Sequence, residues 1–186
     1  MRKPLRKPAR PRATTLRLLR VHTRPGECSR GLLTAGALNL SVALGRGGIR
    51  ANKREGDGGT PRGAFRLLRL WWRADRTVRP PTRLPLRRIR PDDAWCEDPA
   101  DRRYNRPFTR EARAEGDRLW RDDRLYDLIV ELDHNTRPRI ARRGSAVFMH
   151  IARPDFGPTA GCIALRPAAL RRLLAKLGTS TRILIG

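Results

Sequence analysis

The chain has 186 residues, with 42 Lys and Arg against 18 Asp and Glu, a formal net charge of +24. That length suits one domain able to bury a core, and no run approaches the ~20 apolar residues of a membrane-spanning helix. Nearly all the positive charge is arginine, which draws the chain to anionic partners (nucleic acid, anionic lipid or acidic wall polymer) without specifying any chemistry.

In chain order, residues 1–13 read as a disordered basic tail, with Pro4, Pro8 and Pro11 among Arg and Lys, and residues 14–186 as the folded domain. The start lacks the apolar stretch of roughly 7–15 residues that marks a signal peptide. Residues 16–19 are too few and are broken by Arg17, so export is not visible in this segment. From Leu16 onward the pattern is that of short strands. Leu38, Leu40, Val42 and Leu44 alternate with Asn39, Ser41 and Ala43, the period of a half-buried strand, and Gly45, Gly47 and Gly48 mark a turn. Residues 65–72 form another apolar-rich strand candidate. Residues 79–106 are Pro-rich and irregular, the kind of long insert that is functional or disordered. Residues 109–120 predict a helix. Leu128, Val130 and Leu132 alternate again, residues 146–151 are a compact apolar run holding one His, and 163–165 and 182–185 are the last short strands. The clearest helix is 167–177: Pro167 suits its first turn, Leu170, Leu173, Leu174 and Leu177 share a face, and Gly178 ends it. The sum is a mostly β domain, with a few short helices and a long irregular middle insert.

The chemistry is concentrated near the end. Phe148-Met149-His150-Ile151 is followed by a Pro/Gly-containing loop and then by Gly161-Cys162-Ile163-Ala164-Leu165. This sets a His at the end of one apolar strand and a Cys just after a Gly at the start of the next. A loop between neighbouring strands lets the two side chains meet, and a Cys within reach of a His can exist as the reactive thiolate–imidazolium pair. Gly161 permits a tight turn whose amides can face a developing oxyanion. Either residue alone is more often structural: free Cys packs as a small core residue, and a core His donates to a carbonyl. His22 and His134 are weaker candidates for the base. The three cysteines, Cys28, Cys96 and Cys162, form no CxxC pair or zinc-spaced cluster, so no metal and no cofactor is expected. If Cys162 is catalytic, the other two either pair as a disulfide or remain thiols.

The His–loop–Thr-x-Gly-Cys-Ile-x-Leu pattern resembles the L,D-transpeptidase catalytic domain, also called YkuD. Thr60-Pro61-Arg62-Gly63-Ala64-Phe65 is similar to that family's Thr-Pro-x-Gly-x-Phe signature, and the likeness extends over roughly residues 16–186. The resemblance implies a β-sandwich or barrel-like fold with the Cys in a cleft, and a periplasmic or wall-associated enzyme acting on peptidoglycan stem peptides. It casts Cys162 as nucleophile, His150 as general base and acid, and Gly161 with Cys162 as oxyanion donors. Thr159 matches the Ser/Thr before the Gly-Cys pair. The chain departs from many members at Ala160, where they have His, and at Ala164, where they have Arg. Arg166, two residues further along, is the expected substitute. The Trp95 and Tyr104 region also looks like a subgroup of short proteobacterial members, which puts both residues among the substrate-binding candidates. The nearby carboxylates, Asp92, Asp93, Glu97 and Asp98, can bind an amino group or cap turns. Donor and acceptor stems, and a cross-link of third-to-third or first-to-third type, stay open. Two rivals remain: a hydrolase on the same scaffold (an L,D-carboxypeptidase or amidase-like enzyme), and a basic nucleic-acid-binding module. The second rests on charge alone, for no RNA-recognition signature, zinc finger or basic helix stands out.

Overall fold

Alternation of apolar and polar residues folds the first segment into a meander. In the computed structural model, which describes residues 15–110 and 116–186, β1 (Leu18–Arg24) turns at Gly26 into β2 (Glu27–Ala35), which turns into β3 (Leu38–Ala43). Gly26 adopts φ +77°, a left-handed conformation that glycine takes without strain. Leu19, Val21, Leu33 and Val42 point inward and are fully buried, while Arg20, His22 and Asn39 stay exposed. Two very short strands follow, β4 (Ile49–Arg50) and β5 (Thr60–Pro61), paired in parallel.

The long strand β6 (Gly63–Trp72) is the hinge of the topology. Its first half pairs with the last strand of the chain, β14 (Arg182–Ile185), and its second half with β7 (Leu86–Arg88). It also pairs antiparallel with β11 (Leu128–Leu132), which continues through β12 (Phe148–Ile151) and β13 (Ile163–Leu165) to β3. With β14 parallel to β1, the order β11-β12-β13-β3-β2-β1-β14-β6 closes back on β11 as an eight-stranded mixed barrel. The expected mostly β, barrel-like class is therefore the one found.

The barrel wall is buried on both faces along β11, β12 and residues 70–72 of β6. Leu70, Leu128, Val130 and Met149 join the interior cluster, together with Leu170, Leu173 and Leu174 of helix α1 (Pro167–Leu174). Trp71, Ile129 and Phe148 alternate to the outside, where Ile89, Trp95, Leu119 and Tyr126 cover them. Hence all five residues of β11 and all four of β12 are buried.

The cover comes from the middle insert, which is more ordered than its composition suggests. β8 (Asp93–Trp95) sits between β9 (Pro107–Thr109) and β10 (Asp117–Arg118) in a three-stranded sheet. The helix expected over 109–120 does not form at either described end: Thr109 pairs with Asp93, and Asp117 pairs with Trp95. Both described ends pair with β8, so tertiary pairing overrides the local helical pattern there. Residues 111–115, and the tail expected over 1–13, lie outside the described residues. Of the few helices expected, α1 is the one found among the described residues, and it ends at Leu174, before Leu177. None there is long and apolar enough to cross a membrane.

Candidate active site

Parallel pairing of β12 with β13 brings the two motif residues onto one wall. His150 lies in register with Ala164, and Cys162 precedes Ala164 by two, so both side chains project from the same, outer face. They line one small cleft of about 130 Å³, with Tyr126, Thr159, Ala160, Arg121 and Arg153 around them. Cys162 also forms part of a larger cleft of about 340 Å³ on its other side. That cleft is bounded by Arg46, Lys53 and Glu55, from the loops on either side of β4, and by Glu97, Asp117 and Arg121 from the insert.

The turn before the cysteine needs glycine for two reasons. Gly161 has φ +143°, and a Cβ there would lie 2.7 Å from the Gly59 carbonyl oxygen. Gly45 is as tightly held: a Cβ on it would lie 2.1 Å from the Gly58 carbonyl oxygen and 3.0 Å from Gly161 Cα. The buried Thr60 hydroxyl accepts the Gly45 N–H at 2.8 Å. So the two separated sequence motifs, Gly58-Gly59-Thr60-Pro61 and Gly161-Cys162, are packed against each other. Thr159 works within the turn itself. Its Oγ1 donates to the Cys162 carbonyl at 2.7 Å and accepts the Gly161 N–H at 3.1 Å. Of the two amides expected to receive an oxyanion, that of Gly161 is therefore already engaged.

Burial sets the charge state of the pair. The Cys162 thiol donates to the Ala146 carbonyl at 3.1 Å and accepts the Phe148 N–H at 3.4 Å. Burial pushes the thiol up to about 12, against the lowering effect of the Phe148 N–H. Burial also lowers the His150 imidazole to about 4. The resting pair is thus neutral at pH 7, and the ion pair expected from sequence is disfavoured. Nδ1 of His150 lies 2.8 Å from the Ile151 carbonyl. A carbonyl only accepts, so Nδ1 carries the proton and Nε2 keeps its lone pair, the tautomer a general base requires. Tyr126 packs edge-on against the imidazole, with ring centroids 5.3 Å apart.

The insert supplies the polar wall. Tyr126 donates its hydroxyl to Asp117 at 2.7 Å, and Arg121 pairs with Asp117 and Asp123. Burial raises the Asp117 carboxyl. Glu97 keeps solvent contact at the rim, yet partial desolvation, with the charges of Asp117 and Glu55, lifts it to about 7. Asn105 anchors this wall to the barrel. Its Oδ1 accepts Trp95 Nε1 at 3.0 Å and the Ala146 N–H at 3.2 Å, and its amide donates to the His134 and Asn135 carbonyls.

The remaining expected residues are placed unevenly. Trp95 is buried behind the cleft, with its ring centroid 4.9 Å from that of Phe148. Tyr104 is buried and donates its hydroxyl to the cleft residue Glu55. Arg166 is not brought to Cys162. It precedes α1, stacks over Phe156 and lines a separate depression with Arg24 and Arg30. Of the four carboxylates near Trp95, Glu97 reaches the cleft, while Asp93 and Asp98 cap turns by accepting the Arg90 and Ala100 N–H groups. His22 is exposed and His134 half-buried, and neither lines the clefts around Cys162. Cys28, Cys96 and Cys162 are all free thiols. Among the described residues no group of His, Cys, Asp and Glu could hold a metal ion. Sequence reading gave no site role to Lys53, Arg121, Asp117 or Asn105; Lys53 and Asn105 stand in segments that carry the family likeness, whereas Arg121 and Asp117 stand in no pattern that marks them out.

The chain matches the family model YkuD, the L,D-transpeptidase catalytic domain, over residues 24–185. No curated protein and no solved structure matches it.

Proposed function

The chain belongs to the L,D-transpeptidase catalytic domain family, and from that premise we propose that it cross-links peptidoglycan stem peptides through a thioester on Cys162. Membership implies an L,D-transpeptidase-type activity on peptidoglycan at the cell envelope. The observation that carries the residue assignment is the shared cleft holding Cys162 and a His150 whose Nε2 is unprotonated.

The sulfur attacks a stem carbonyl while its proton passes to His150 Nε2. The C–S bond forms as the carbonyl π pair moves onto oxygen. Because the thiol starts neutral, proton transfer accompanies attack rather than preceding it. The Cys162 N–H, beside the engaged Gly161 amide, receives the oxyanion. Collapse breaks the C–N bond, and His150 returns its proton to the leaving amine. An acceptor amine then loses a proton to His150 and displaces the sulfur, which leaves with its bonding pair and takes that proton from His150 to restore S–H. Arg121 and Arg153, rather than Arg166, supply positive charge on the His150 side, where Ala164 leaves room beside the imidazole.

Incubation of the purified protein with muropeptides tests this by mass spectrometry. Dimers are expected, and Cys162→Ala abolishes them; fragmentation of the dimers assigns the first- or third-position bond. Shortened stems without dimers would instead identify a hydrolase. Dimer formation undiminished in Cys162→Ala would remove the assigned nucleophile.

A further inference from the structure

One charged side chain at the cleft has no place in the mechanism above. Lys53 is only 6% exposed, yet it lines the cleft that contains Gly161 and Cys162. Its stem runs between two glycines of positive φ. A Cβ on Gly144 (φ +93°) would come within 2.9 Å of Lys53 Cγ, and one on Gly161 would lie 3.6 Å from Lys53 Cε. The ammonium donates to Asp57 Oδ1 at 2.5 Å and to the Arg54 carbonyl at 2.7 Å. An ammonium has three N–H groups, so one remains for a ligand.

A turn-closing role does not account for this lysine. Asp57 already accepts the Arg54 N–H and the Gly59 N–H, each at 2.8 Å, which closes the turn without any side-chain cation. Burying an ammonium carries a desolvation cost that a surface position avoids. A cation here is useful where negative charge appears and disappears, and the acyl transfer proposed at Cys162 is such an event in the same cleft. The need is specific, because Thr159 has taken the Gly161 N–H that would otherwise serve the oxyanion. The positive charge of Lys53 also favours the thiolate at Cys162, though burial outweighs it.

We infer that Lys53 is a further catalytic residue, whose ammonium, fixed by Asp57, stabilises the oxyanion formed when Cys162 attacks, in place of the engaged Gly161 amide. The inference rests on the proposed acyl transfer but can be tested apart from it. In a Cys28→Ser background, Lys53→Met should lower kcat for stem-peptide turnover about 10²-fold with little change in KM, and Lys53→Arg should retain more of it. A Lys53→Met protein that melts like the parent and keeps kcat within about threefold, while Cys162→Ala is dead, would overturn the inference and leave the acyl transfer intact. A second reading needs neither a Lys53 variant nor a substrate. Cys162 alkylated with iodoacetate carries a carboxylate beside the sulfur, whereas iodoacetamide leaves a neutral amide. With 15N-labelled lysine, the Lys53 ammonium signal should differ between the two adducts; identical signals would refute the assignment even if no stem peptide is ever turned over.

Discussion

At pH 7 a thiol held near 12 and an imidazole held near 4 are both uncharged, so the proposed nucleophile rests as S–H. Two consequences follow. Alkylation of Cys162 by iodoacetamide, measured in Cys28→Ser, should climb through the alkaline range without a plateau near neutrality. A plateau below pH 8 would mean that the ion pair is the resting state. Stability should also report His150. Its folded value, about 4, lies below the ordinary 6.5. The unfolded chain therefore binds the proton first, and the contribution is full above 6.5 and lost as pH falls through 4. The loss is roughly 3 kcal/mol, seen as a fall in denaturant midpoint that His150→Gln should flatten. The residues proposed to carry this chemistry were the legible ones: Gly161-Cys162 and His150 announce themselves by type and spacing. Lys53, Arg121 and Asp117 do not, because an isolated charge in a chain of 42 basic and 18 acidic residues looks like every other.

At the level of elements, the site depends on one parallel strand pair and one anchor. Gly161→Ala forces a Cβ to 2.7 Å from the Gly59 carbonyl at a φ of +143°. It should cost about 1–3 kcal/mol and remove turnover by shifting the sulfur; a urea melt and a muropeptide assay check the two separately. Asn105→Ala strips acceptors from Trp95 Nε1 and the Ala146 N–H together. It should cost a similar ~1–3 kcal/mol and loosen the carbonyl that holds the thiol, so Cys162 alkylation should speed up in a protein that still folds. Sequence periodicity located β3, β6, β11, β12, β13, β14 and α1, since each shows its own apolar pattern. It read alternation in β11, and period two cannot reveal that a remote segment covers the second face. It misjudged the direction of Arg166 because β13 ends at Leu165, and the chain turns into α1 before the alternation can continue.

On the scale of the whole molecule, much of the arginine is structural. Arg73 is almost fully buried, pairs with Asp75 and stacks on Trp120, and Arg87 joins Asp93 to Trp71. The rest still gives a field of one sign. A groove of about 660 Å³ lined by Arg87, Arg88 and Arg90 shows how local that charge can become. Activity on intact sacculi should therefore fall with added salt more than activity on soluble muropeptides, because screening acts on attraction to a polyanion before it reaches a buried site. Equal salt responses for the two substrates would remove any role for the surface charge.

The outward projection of Phe148, His150 and Cys162 has a lasting consequence. The proposed chemistry lies on the outside of a closed cylinder, and the segment between β7 and β11 is the roof over it. Replacing that roof can redraw what the enzyme accepts without disturbing the leucines that keep the cylinder shut. Selectivity and foldability are thereby lodged in different stretches of chain, and a lineage, or an engineer, can rewrite one while leaving the other alone.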